Sequence, residues 1–269
     1  MANSSLDFTD RAVLRPLAQL LAAVQAAAGQ TPFLLMGAGA RDLLLVHAHG
    51  VNPQRATEDT DLAMAVPSWD VGPLHRLWFR EQRLDIVPFG GVERADRCIA
   101  WPPEGDEVMD VSGLAEALAS AVHVRLPGGF SCLVASLPAL ALLKVWAWSR
   151  RMYTAPGKDA TDLWMLLRHY ADAGNQDRLF GHEGEDALAS FEFDLDKAGA
   201  WLLGWDARGV LAGGSDSARL LEGLRKILGP EIDPDGPLRL VAQMPPGDRD
   251  RQLSLLTAFC EGLFEASLP

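Results

Sequence analysis

The sequence predicts an α+β protein in two lobes, and three observations carry that prediction. The first is Asp59-Thr60-Asp61-Leu62-Ala63-Met64-Ala65-Val66, an apolar run headed by two acids. It reads as a buried strand with an acidic mouth. The second is Thr31 to Met36, a short apolar strand that runs into Gly37-Ala38-Gly39-Ala40 and on to Arg41-Asp42-Leu43-Leu44-Leu45-Val46, a good helix start. The third is a change of character at Ser136, beyond which helical patterns dominate. The expected organisation is a small mixed β-sheet with flanking helices over residues 1–135 and a mostly helical lobe over residues 136–269. A chain of 269 residues suits that division, because domains usually hold ~100–200 residues.

The elements follow from local pattern. Leu17, Leu20, Leu21 and Val24 recur at helical spacing ahead of Gly29, which predicts an amphipathic helix over about 9–28, with Pro16 either kinking it or marking its true start. Gly50 to Ala56 is a polar loop feeding the Asp59 strand. Leu74 to Phe79 is expected as a short strand paired with the next one, Leu84 to Phe89. Residues 92–112 are rich in turn formers, include Trp101-Pro102-Pro103, and need not be regular. Gly113 to Ala121 suits a short helix, and Val122–Leu126 and Phe130–Val134 form a hairpin across Pro127-Gly128-Gly129. Leu137 to Trp148 is a strongly apolar helix carrying one lysine, Lys144. Another helix starts at Lys158, and further helices are expected near 186–204, 216–228 and 247–266.

Composition narrows the function classes. The chain is 48% hydrophobic, has near-neutral mean hydropathy, and contains no run near the ~20 apolar residues of a membrane span. No basic segment precedes an apolar one at the N-terminus, so a cytoplasmic protein is expected, with no membrane partner. Cys98, Cys132 and Cys260 are odd in number and far apart, which fits neither a disulfide framework nor a Cys-x-x-Cys metal site. The net charge of −12 argues against wrapping long nucleic acid by bulk electrostatics. Ser112, Ser131 and Ser136 lie in no nucleophile-elbow context, so serine hydrolase chemistry is unsupported.

The candidate chemistry gathers on acids and glycines. Strand geometry sends Asp59 and Asp61 to the same face. Two adjacent carboxylates share a proton or hold something positive between them, and a divalent ion with oxygen ligands is a common solution. The bland alternative is a solvated strand end. Asp85, between Leu84 and Ile86, needs a partner in so apolar a segment. It is either an ion pair with Arg83 or a third carboxylate meeting Asp59 and Asp61. Gly37 to Gly39 stand between a strand and a helix, where backbone N–H groups and the helix dipole favour phosphate, although a plain tight turn has the same pattern. Lys144 either snorkels to the surface or points at something anionic. Asp159 and Asp162 are helix caps or functional acids.

In combination these segments resemble a known family. Leu35-Met36-Gly37-Ala38-Gly39-Ala40-Arg41-Asp42, Thr57-Glu58-Asp59-Thr60-Asp61-Leu62, Leu84 to Glu93, Leu143 to Trp148 and Lys158 to Leu163 occur in the order seen in polymerase-beta-like nucleotidyltransferases. The chain is most similar to the AbiEii-type nucleotidyltransferases of abortive-infection and toxin-antitoxin systems. Departures accompany the resemblance, one being that the segment between Asp61 and Asp85 is short for a full helix before the next strand. Ala38 stands where the turn usually has glycine or serine, and the interval from Gly37 to Asp59 is long.

The resemblance implies transfer of a nucleoside monophosphate from an NTP to a hydroxyl acceptor, such as the 3′ end of RNA or tRNA, or a protein. Gly37, Ala38, Gly39 and Arg41 would cradle the triphosphate. Asp59, Asp61 and Asp85 would hold Mg2+ or Mn2+, with Asp85 alternatively the base for the incoming hydroxyl. Lys144 would neutralise phosphate charge from a helix closing the cleft, with Asp159 or Asp162 contributing from the next helix. An antitoxin protein is the implied partner. The rival expectation is a non-catalytic nucleotide-binding or toxin-antitoxin interaction protein of the same fold.

Overall fold

The structure, a computed structural model, describes residues 5–52, 59–71, 76–79, 82–181, 184–214 and 216–265. The second half of the expected 50–56 loop, Thr57, Glu58, and the Leu74-His75 start of the expected strand lie outside them. The chain divides into two compact units, Met1–Leu43 with Pro53–Ser136, and Leu44–Asn52 with Leu137–Pro269.

The first unit is built on a mixed sheet, with seven strands among the described residues. In chain order these are β1 (Ser5–Asp7), β2 (Phe33–Met36), β3 (Asp59–Val66), β4 (Arg76–Phe79), β5 (Gln82–Gly90), then β8 (Val122–Arg125) and β9 (Ser131–Val134) after a separate pair, β6 (Cys98–Ala100) and β7 (Val108–Asp110). Across the sheet the order is β1-β8-β9-β2-β3-β5-β4. β2 and β3 are central, and their leucines Leu34, Leu35 and Leu62 are fully buried. β3 runs antiparallel to β2 and parallel to β5.

Helix α1 (Arg15–Ala28) covers part of this unit, and Pro16 sits in its first turn, so the proline marks the start rather than a kink. Gly29 ends α1 at φ +62°, as the glycine-cap pattern requires. α2 (Gly37–Arg41) begins immediately after β2, with no intervening turn, and continues into a π-helical stretch, Asp42–His47. α3 (Leu114–Ala119) and the β8–β9 hairpin match their expected spans.

Two features of this unit go beyond the sequence reading. Within residues 92–112, where no regular structure was required, β6 and β7 pair antiparallel. Arg97 fixes this ribbon to α3 through two hydrogen bonds to the Glu116 carboxylate, at 2.9 and 2.7 Å. β1 also went unforeseen: three residues are too few to show periodicity, and the strand exists through its pairing with β8.

The second unit is helical among its described residues. It comprises α4 (Leu137–Arg151), α5 (Lys158–His169), α6 (Gln176–Leu179), α7 (Glu185–Ser190), α8 (Leu195–Ala212), α9 (Ser217–Ile232), α10 (Arg239–Ala242) and α11 (Arg249–Phe264). The expected helix near 186–204 is two helices, with Asp194 capping the second by accepting from the Asp196 and Lys197 N–H groups. Packing centres on α8 and α11. A Cβ on Gly204 would lie 2.0 Å from the Phe259 carbonyl oxygen, and one on Gly262 would lie 2.0 Å from that of Trp201. The two backbones therefore meet at reciprocal glycines. No described helix is long and apolar enough to cross a membrane.

Candidate functional site

The sheet register determines where the acids of the first unit stand. β3 and β5 are in parallel register, with Asp59 opposite Arg83 and Asp61 opposite Asp85. Residues paired this way share a face, and alternate positions along each strand do too. Asp59, Asp61, Arg83 and Asp85 therefore project from one side of the sheet. They lie at its half-exposed end, where β3 changes from intermediate burial at Asp59 to Asp61 into full burial at Leu62 to Met64. The acidic mouth expected from the sequence is present.

Gly37 borders this group. It follows Met36, the β2 partner of Asp61, and has φ +64°, a left-handed conformation that side chains other than glycine rarely adopt. A Cβ there would come within 2.1 Å of Asp61 Oδ2, so the absent side chain leaves room for the aspartate itself. Ala38 is buried, and Arg41 is enclosed at 1% exposure. The Arg41 guanidinium donates to Asp42 Oδ1 from Nε at 2.8 Å and from Nη2 at 2.6 Å.

Arg83 stands among these acids. Its guanidinium donates from Nε to Asp85 Oδ1 at 3.3 Å, places Nη2 3.1 Å from Asp85 Oδ2, and places Nη1 3.6 Å from Asp59 Oδ2. The two readings of Asp85 are thus not exclusive, since it pairs with Arg83 and shares a face with Asp59 and Asp61. Among the described residues no group of three or more His, Cys, Asp and Glu side chains is arranged to hold a metal ion. The donor set is nevertheless of the right kind for a hard divalent ion, being carboxylate oxygen throughout.

In the second unit α4 and α5 bring together the remaining candidates. Lys144 neither snorkels nor faces solvent. It is 7% exposed, with Nζ 2.5 Å from Asp162 Oδ2 and 3.4 Å from Asp159 Oδ1. Arg151 grips Asp159 from the other side, donating from Nε at 2.6 Å and from Nη2 at 2.7 Å. Burial pushes the Asp159 carboxyl up, but the Arg151 hydrogen bond and the Lys144 charge outweigh it and hold the group below its ordinary range. Asp159 and Asp162 are therefore ion-pair partners rather than caps. Arg151, in the last turn of α4, is the member of this cluster that spacing did not single out.

The family profile described as "Nucleotidyl transferase AbiEii toxin, Type IV TA system" matches residues 101–237. The chain belongs to this family. The match spans half of the AbiEii-family chain and contains the whole Lys144, Arg151, Asp159 and Asp162 cluster. Gly37, Asp59, Asp61 and Asp85 precede it. No curated protein and no solved structure matches the chain. As an AbiEii-family member the protein carries a nucleotidyl transferase toxin domain of a type IV toxin-antitoxin system.

Proposed function

We propose that this AbiEii-family chain transfers a nucleoside monophosphate from an NTP to a hydroxyl acceptor and acts as the toxin of a toxin-antitoxin pair. The observation that carries this reading is the register that sets Asp61 beside Asp85 on neighbouring parallel strands, with Asp59 on the same face and Gly37 against Asp61. Three carboxylates on one face are costly unless a cation repays their repulsion. A divalent ion, Mg2+ or Mn2+, would be held by Asp59, Asp61 and Asp85, and when bound it would neutralise phosphate charge and orient the reacting oxygens. The chain's own contribution is positioning. Backbone N–H groups of Gly37 to Gly39 hold the triphosphate, and Asp85 is the acceptor available for the hydroxyl proton.

The acceptor we favour is a hydroxyl on RNA, such as a tRNA 3′ end, with a protein hydroxyl as the other choice. The net charge of −12 suits a short acceptor better than a long nucleic acid. One observation favours a non-catalytic nucleotide-binding or interaction protein instead: Arg83 already neutralises Asp59 and Asp85.

Melting curves with ATP, GTP, CTP and UTP, each with and without Mg2+, decide between the readings. A ligand that binds only the folded state must raise the midpoint. Stabilisation by one NTP only with Mg2+, lost in Asp59→Ala, together with incorporation of label from the α-phosphate of that NTP into bulk tRNA, supports the transferase. Stabilisation that ignores both Mg2+ and Asp59→Ala, without incorporation, supports the binding protein.

A further inference from the structure

We propose that Arg83 is a built-in counter-cation that competes with the divalent ion for Asp59 and Asp85, so that metal binding is an exchange in which the guanidinium is expelled. The inference rests on the reading of Asp59, Asp61 and Asp85 as metal ligands, and it explains why the three do not stand ready as a cage.

Three observations carry it. Arg83 is opposite Asp59 in the register and two residues before Asp85 on the same strand, so the strand geometry alone delivers its side chain to the face of the acids. The guanidinium reaches both carboxylates, at 3.1 and 3.3 Å to Asp85 and 3.6 Å to Asp59. The Arg83 side chain is 33% exposed, so water rather than packed protein lies along part of its length and it can swing out.

The chemistry of the two cations makes the sites exclusive. A guanidinium spreads one charge over a planar fork and stays protonated at any working pH. A compact dication takes carboxylate oxygens at about 2.0–2.1 Å in near-octahedral geometry. Both cannot use the same oxygens, and a dication placed beside the guanidinium would be repelled by it. The apparent metal affinity is then the intrinsic affinity multiplied by the fraction of chains in which Arg83 is withdrawn. Without metal, Arg83 offsets the repulsion that three acids on one face would otherwise impose on β3 and β5.

The test uses the full chain and Mn2+ alone, with free Mn2+ read by its electron paramagnetic resonance signal. Arg83→Gln removes the charge and is expected to lower the Mn2+ Kd on the order of tenfold. Arg83→Lys, which keeps the charge without the fork, should fall between. Arg94→Gln, which removes an exposed arginine paired with Asp96, should leave the Kd unchanged, and Asp85→Asn should weaken binding. Equal Kd values for the native chain and Arg83→Gln, with Asp85→Asn still weakening both, would overturn the competition while leaving the metal site standing. A Kd that falls equally in Arg94→Gln would overturn it too, showing a general charge effect. Failure of both the native chain and Arg83→Gln to bind millimolar Mn2+ would sink the metal reading and this inference with it. Should Arg83→Gln not fold, the native chain suffices. The Arg83 Nε–Hε nuclear magnetic resonance signal, identified by its absence in Arg83→Lys, should move as Mg2+ is added, and a signal that stays fixed while Mg2+ binds would refute the exchange.

Discussion

Gly37 lies against the carboxylate of Asp61, so close that a Cβ on the glycine would stand 2.1 Å from Asp61 Oδ2. The contact follows from the strand pairing, because Met36 is the partner of Asp61 and Gly37 is the next residue. It gives the glycine a duty different from cradling phosphate alone: it lets Asp61 fold back over the start of α2. Gly37→Ala therefore meets two penalties, a left-handed φ of +64° and a collision with Asp61. The backbone penalty alone is roughly 1–2 kcal/mol. We expect a lower urea midpoint and, because Asp61 must move, loss of any Mn2+ binding. Unchanged stability would mean that Asp61 does not occupy this place.

The Lys144, Arg151 and Asp159 cluster makes a prediction about acid. The folded-state pKa of Asp159 is held down, so its contribution to stability is present above the unfolded value of about 3.9 and is lost as pH falls through the folded value. Arg151→Ala removes the hydrogen-bonding partner but leaves Lys144. Breaking a buried pair outright costs about 3–5 kcal/mol. Arg151 is 41% exposed and Asp159 keeps its other cation, so about 1–2 kcal/mol is expected at pH 7 after solvent screening. Urea unfolding at pH 7 and again below pH 4 checks this: the gap between native and variant should narrow at the lower pH. A gap independent of pH would place the effect in packing.

Tyr170 predicts the behaviour at the alkaline end. Its hydroxyl donates to Asp206 at 2.5 Å, and Arg178 donates to both oxygens of the same carboxylate, at 2.7 and 2.9 Å. Burial first, then the Asp206 charge, pushes the phenol well above its ordinary pKa. A folded pKa above the unfolded one gives stability that is complete below about pH 10 and declines as pH rises further, because the unfolded chain releases the proton earlier. Tyr170→Phe should cost about 1 kcal/mol near neutrality through the lost hydrogen bond. It should also flatten the fall in melting point above about pH 10. Parallel native and variant curves there would show that Tyr170 takes no part.

What the sequence disclosed and what it concealed divide along physical lines. Asp59 to Val66 was legible as a strand because eight residues hold several periods of two, and the β8–β9 turn was legible because Gly128 and Gly129 take positive φ. Arg83 could be named as a partner of Asp85, since the two lie on one strand face. Its reach to Asp59 depends on the β3–β5 register, which no local pattern specifies. β1, β6 and β7 are three residues each and exist by pairing. The extent of α8 also escaped: the expected helix ended at 204, whereas α8 runs to Ala212, and Gly204 within it meets the backbone of α11.

That use of glycine yields a prediction with an internal control. At Gly204 and Gly262 an added methyl would stand 2.0 Å from carbonyl oxygens of the facing helix, which cannot turn aside as a flexible side chain would. Overpacking of this kind costs about 1–3 kcal/mol and should exceed the helix-propensity gain of roughly 1 kcal/mol for replacing glycine by alanine. Gly204→Ala and Gly262→Ala should each lower the urea midpoint. Their double variant should fall short of additivity, because the first substitution already separates α8 from α11. Gly223 in α9 has nothing within 4 Å of a built Cβ, so Gly223→Ala should keep the propensity gain and raise the midpoint. Opposite signs at positions of identical chemistry would trace the difference to the close approach of two backbones. If Gly204→Ala stabilised the chain as Gly223→Ala does, α8 and α11 could not be packed as described.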